Sequence, residues 1–229
     1  MPRLFAAAIL LLYSVASVGA ESQCFGTVSR GRIENSVPLP TDGPNFSSYS
    51  SLAASLGRTH VHAKVSEIIL AAYAALAKDA PGTRFVYGET GWPSGGRIRP
   101  HRTHQNGLSV DFFVPVKKAS GQSVALPTGP TNKFGYDIEF DQKARFREYE
   151  IDFAAIAEHL YQLDRAAKDQ KAGLALVIFD NAYLAKLYDT PRGSYLRQNV
   201  NFMKGKPWVR HDEHYHVDFA IPCRPLSAG

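Results

Sequence analysis

Between His62 and Lys78, apolar side chains recur at Val65, Ile68, Ile69, Ala72, Tyr73 and Leu76. That three-and-four spacing lines one face of a helix, and Asp79, Ala80, Pro81 and Gly82 end it. A second stripe, Phe153, Ile156, Leu160 and Leu163, predicts another amphipathic helix from Ile151 to Ala167. Elsewhere the period shortens. Arg84 to Gly88 reads as a short strand, Leu108 to Val114 alternates as a half-buried strand, and Leu174 to Phe179 is a buried one. Ala182 to Tyr188 reads as a short helix broken by Thr190, Pro191, Arg192 and Gly193, and Tyr215 to Ile221 is the closing strand. Residues 24–57, rich in Gly, Pro, Ser and Asn, read as an extended lead-in. Lys117 to Lys133 reads as a mobile insertion that could serve as a lid or substrate edge. Helices and strands mix without a βαβ rhythm or internal repeats. The expectation is therefore an α+β single domain: a mainly antiparallel sheet flanked by helices.

Composition narrows this picture. The 229 residues can bury one sizeable core. Arg3, an apolar run from Leu4 to Val18 and the small residues before Glu21 read as a secretory leader cleaved after Ala20. The run is too short, and too interrupted by Tyr13, Ser14 and Ser17, for stable membrane insertion. The organisation expected is thus a signal peptide over residues 1–20 and one domain over 21–229. Cys24 and Cys223 are the only cysteines, and in an exported chain they are expected to pair. The net charge is +5, or +4 without Arg3, a mild bias with no dense basic run that would suggest nucleic acid. Nothing in the sequence reports on oligomeric state.

The candidate chemistry is histidine-based. His211, His214 and His216 crowd six residues, and His101, His104 and Asp111 form a second group. On a strand, His214 and His216 share a face. A catalytic zinc takes about three ligands from His, Asp or Glu and keeps an open position for water, a role that His104, Asp111 and His216 fit. His214, one strand repeat away, suits proton transfer. His211 and His101, on loops, suit oxyanion stabilisation, leaving-group orientation or support of the ligands. His60 and His62 read as capping or solvated, with His62 retained as a substrate contact. His159 reads as a helix-surface residue, Asp212, Glu213 and Asp218 read by default as solvated, and Trp92 and Trp208 as rim or core. Neither a nucleophile-elbow serine nor a phosphate loop occurs.

Three stretches carry a family resemblance: Gly88 to Gly96, His101 to Asp111, and Trp208 to Val217. They resemble the penicillin-insensitive murein endopeptidases, zinc peptidases related to D-Ala-D-Ala carboxypeptidases and the Hedgehog signalling domain. The resemblance implies zinc on His104, Asp111 and His216, catalysis by His214, and supporting roles for His211 and His101. It also implies a periplasmic D,D-endopeptidase that cuts the D-alanyl to meso-diaminopimelyl crosslink of peptidoglycan. No histidine occurs between His104 and His159, so one zinc is expected and a second is unsupported. A D,D-carboxypeptidase, an L,D-endopeptidase and a non-catalytic zinc-stabilised wall-binding module remain as alternatives.

Overall fold

A computed structural model of the chain describes residues 21–226; the leader assigned to residues 1–20 lies outside the described residues. A hairpin of β1 (Gln23–Thr27) and β2 (Arg30–Glu34) leads through β3 (Val37–Pro38), β4 (Phe46–Ser48) and α1 (Ser51–Ser55) to β5 (His60–Val61) and α2 (Ala63–Asp79). The middle of the chain holds β6 (Phe85–Tyr87), β7 (Ser109–Phe113), β8 (Val116–Lys118), β9 (Ser123–Val124), β10 (Arg145–Phe146) and β11 (Tyr149–Ile151). Then come α3 (Phe153–Asp169), β12 (Leu174–Ile178), α4 (Leu184–Tyr188), α5 (Gly193–Asn199) and β13 (His214–Phe219). The architecture is α+β in one domain, as the mixed periodicities predict. No helix among the described residues is long and apolar enough to cross a membrane.

The central sheet has the order β12-β13-β7-β6-β4, antiparallel except for the β4–β6 pair. Both long helices begin where a side chain satisfies an orphan amide. His62 accepts from Lys64 N and Asp152 from Ala155 N, caps that typically contribute ~1 kcal/mol each. Their apolar stripes cover one face of the sheet. There Tyr73 of α2 stacks on Phe46 at 4.4 Å, and His159 of α3 meets Phe112 edge-on at 4.7 Å. The other face, floored by Asp111, Phe113, His214 and His216, is roofed by loops.

That roof corrects the expectation of a half-buried strand at 108–114, because β7 is buried at every position from Ser109 to Phe113. The supposed lead-in is built instead from β1 to β4 and α1. The 117–133 stretch is tied down: β8 pairs with β9 and β11, and Thr128 Oγ1 donates to Tyr49 O at 2.9 Å. Gly193, read as a breaker, is the first residue of α5. A Cβ there would fall 1.9 Å from the Tyr188 carbonyl oxygen, so the close approach demands glycine. Cys24 and Cys223 form a disulfide that ties β1 to the segment after β13. On the chain-entropy account, a loop this long stabilises by up to ~5 kcal/mol.

Candidate metal centre and cleft

Strand register assembles the site. Across the β13–β7 ladder, His216 lies opposite Asp111, His214 opposite Phe113 and Asp218 opposite Ser109. A strand points alternate residues to one side. His214, His216 and Asp218 therefore face the cleft, while Tyr215, Val217 and Phe219 enter the core. His104 arrives from the preceding loop with φ 66°, in the left-handed region that a non-glycine residue seldom adopts. Its Nδ1 donates to Thr90 O at 3.0 Å, leaving the Nε2 lone pair facing Asp111 Oδ1 at 3.2 Å.

Two lone pairs in that apposition repel unless a cation lies between them. His104 Nε2 is buried without a hydrogen-bond partner. His216 Nδ1 lies 2.9 Å from the same Asp111 oxygen, and its Nε2 is held by Asp218 Oδ1 at 2.8 Å. Asp218 in turn accepts from Ser109 Oγ at 2.6 Å. Both rings are thus clamped from behind by an acceptor, the usual arrangement for metal-binding imidazoles. His101, His104 and Asp111 bring ligand atoms within 4.8 Å of one another and could hold a metal ion. His101 Nε2 is drawn to Glu89 Oε2 at 2.7 Å, and its Nδ1 sits 3.7 Å from Asp111 Oδ2.

The electrostatics divide these histidines. Burial pulls His216 down, but the Asp218 and Asp111 carboxylates outweigh it and lift the imidazole to about 10. Burial would raise Asp111, yet the imidazoles of His104 and His214 hold it well below the usual carboxylate range. Burial, reinforced by neighbouring His101 and His216, pushes His214 down to about 4 against the pull of Asp111. Burial and the adjacent His214 likewise push His211 down to about 4. His214 Nδ1 meets Glu213 Oε1 at 2.8 Å and its Nε2 lies 3.8 Å from Asp111 Oδ2, while His211 Nδ1 donates to Val209 O at 2.9 Å.

Five of the six sequence-selected residues line one cleft, and His104 lies fully buried beside Asp111 beneath it. The solvated default for Asp212, Glu213 and Asp218 does not hold, as all three are buried. Asp212 Oδ2 accepts from Phe140 N at 2.5 Å, and burial raises its carboxyl to about 7. His159 is fully buried rather than surface-exposed, donor or acceptor to the Tyr215 hydroxyl and packed among Tyr73, Phe85 and Phe112. Burial alone pushes it to about 3. His62 caps α2 instead of reaching the cleft, and His60 pairs with Ser36 Oγ at 2.9 Å. Trp208 stands at the rim, and Trp92 stacks beneath the Arg58 guanidinium at 4.9 Å.

Two contributors escaped the sequence reading. Tyr136 donates to Asp111 Oδ2 at 3.0 Å and accepts from Glu89 N, while Glu89 also takes the Tyr49 hydroxyl at 2.9 Å and the Arg58 guanidinium. Only the position of Glu89 within the first of the resembling stretches hinted at it. The cleft around these groups encloses about 420 Å³.

The floor of this cleft is lined by imidazoles that share one carboxylate, Asp111. Residues 24–226 match the family described as penicillin-insensitive murein endopeptidase. A protein of that name from Klebsiella pneumoniae subsp. pneumoniae is 25% identical over 211 residues, covering 92% of this chain and 70% of that protein. One from Escherichia coli strain SE11 is 25% identical over 214 residues, with the same shares covered. The chain belongs to the penicillin-insensitive murein endopeptidase family.

Proposed function

We propose that the protein is a zinc-dependent D,D-endopeptidase that cuts the D-alanyl to meso-diaminopimelyl crosslink of peptidoglycan in the periplasm, after export and removal of residues 1–20. His104, Asp111 and His216 would hold a single zinc, with His101 beside them as a supporting or auxiliary group. The observation that carries this reading is the unpaired His104 Nε2 facing an Asp111 oxygen that His216 also contacts, with both imidazoles clamped from behind. That donor set of two imidazole nitrogens and one carboxylate suits zinc. Bound there, zinc would lower the pKa of a coordinated water from about 15.7 toward 7 and polarise the substrate carbonyl.

The protein's own groups do the rest. His214 stays neutral down to about pH 4, and its Nε2 is free to accept the proton of the attacking water and return it to the leaving amine. An ionised Glu213, accepting from Nδ1, would fix that tautomer. His211, with Nδ1 committed to Val209, also presents Nε2 as a lone pair. This favours accepting a substrate N–H or a proton over donating to an oxyanion. Such bases typically contribute 10²–10⁴-fold. His214→Ala is therefore expected to retain one zinc per chain and lose at least about a hundredfold in kcat on crosslinked muropeptides. Loss of zinc together with activity would assign His214 a structural role and favour the wall-binding module.

A further inference from the structure

The cleft does not end at the metal centre. Past Tyr49 it meets a trough of about 570 Å³ between residues 41–51 and 128–130, and Tyr49, Leu52 and Phe134 line both. Two features mark the cleft and this junction as built for a ligand. Leu52 is 60% and Leu56 61% exposed, and with Trp208 and Val209 they make four of the five exposed large hydrophobics among the described residues, all lining the cleft. The fold gains nothing from apolar groups held in water at one place, so their concentration marks a contact surface.

The second feature is strain. Lys133 and Phe134 are consecutive non-glycine residues at φ 48° and 57°, a conformation costly for a bulky side chain. The turn is held there by Asn132 Oδ1, which accepts from Gly129 N and Gly135 N, both at 2.9 Å. It places the Phe134 ring edge-on to Tyr49, with centroids 6.3 Å apart. Backbone strain so firmly over-determined, at the mouth of a reactive cleft, is spent on placing a side chain.

We propose that Leu52 and Phe134, standing over Tyr49, form a ridge where the two stem peptides of a crosslinked pair part. One arm occupies the metal cleft and the second lies in the trough. The proposal rests on the crosslink-endopeptidase reading and extends it to substrate recognition. An enzyme trimming terminal residues needs a closed end with a free cation for the terminal carboxylate. Here the floor runs on, and the cations lining the cleft are engaged: Arg58 with Glu89, and Lys133 with Asp137 at 2.8 Å. The methyl and methylene groups of a peptide arm suit Leu52 and Phe134, and its amides suit the hydroxyls of Ser51 and Thr128 in the trough.

Kinetics on two substrates test this: a crosslinked muropeptide dimer, and a truncated amide with the same scissile bond but no second stem. Remote binding raises kcat/KM only for the substrate that carries the remote part, so the parent enzyme should favour the dimer by about tenfold or more. Leu52→Ser and Phe134→Ala should each shrink that ratio toward one while zinc content stays unchanged. Phe134→Gly, which relieves the left-handed strain, should shrink it too, with Tm held or raised. An unchanged ratio in all three variants, or a parent with no preference for the dimer, overturns the ridge. A parent that cleaves neither substrate overturns the endopeptidase reading itself and takes the ridge with it.

Discussion

His216 and His159 are both fully enclosed, on opposite faces of one sheet, yet their chemistry diverges by their neighbours alone. His216 sits between Asp111 and Asp218, whose carboxylates overcome burial and lift it to about 10. His159 lies among Tyr73, Phe85, Phe112 and Tyr215, with no carboxylate to offset desolvation, and falls to about 3. The same side chain is held between two carboxylates on one face and is a core polar group on the other. Burial therefore does not identify a functional histidine; a fixed carboxylate in front of it does.

Exchanging each histidine for alanine separates the two roles most strongly. On the proposed ligand set, His216→Ala should lose bound zinc and depress crosslink cleavage by at least about a thousandfold while the chain stays folded, because a zinc centre deprived of one of three ligands would not supply its chemistry. His159→Ala should leave zinc content intact and cost ~2–4 kcal/mol of stability, the usual range for emptying a large buried site. Chemical denaturation and metal analysis of both variants read the contrast directly. Equal zinc loss in the two would dissolve it.

A smaller effect probes the clamp behind the ligand. Asp218→Asn keeps the shape but weakens the hold on His216 Nε2, and such outer partners typically tune metal affinity by about 10–100-fold. A chelator competition should show zinc bound more weakly by that factor, with the secondary structure unaltered. Unchanged affinity would mean that Asp218 merely fills the cavity.

The two histidines also predict opposite pH windows for the metal-free protein. His159 has a folded pKa of about 3, far below the unfolded value near 6.5. The unfolded chain therefore gains a proton first as pH falls, and stability drops by about 1.4 kcal/mol per unit below pH 6.5, until pH nears 3. For His216 the folded pKa of about 10 lies above the unfolded value, so its stabilisation is complete below pH 6.5 and is lost as pH rises toward 10. Denaturation midpoints across pH should show the acid loss reduced in His159→Phe, with the shares of His211 and His214 remaining, and the alkaline loss reduced in His216→Ala. A profile unmoved by either substitution would contradict the assigned neighbours.

How far the sequence announced all this differs between the two faces. Alternation on one strand was enough to place His214 and His216 together, and the helical stripes gave α2 and α3 to within two residues. The clustered polar motif pointed to the cleft side of the sheet, where the imidazoles and Asp111 gather. His159 was misread because Glu158 beside it suggests a wet helix surface. Only the fold shows that one turn of α3 points into an aromatic pocket. Glu89 and Tyr136 were invisible for a related reason, since Glu89 reaches His101 and Tyr136 reaches Asp111 through tertiary contacts that no local spacing encodes. The 117–133 segment was read as mobile from its Gly, Ser and Thr content, but strand pairing and the Thr128 bond to Tyr49 hold it in place.

The most direct test of the central claim is mass spectrometry of crosslinked muropeptide dimers incubated with residues 21–229, with chelator, and with chelator followed by zinc. The account predicts conversion of dimers to two monomers, abolished by the chelator and restored by zinc. Undiminished cleavage after verified removal of all metal, or intact dimers with zinc demonstrably bound, would contradict it.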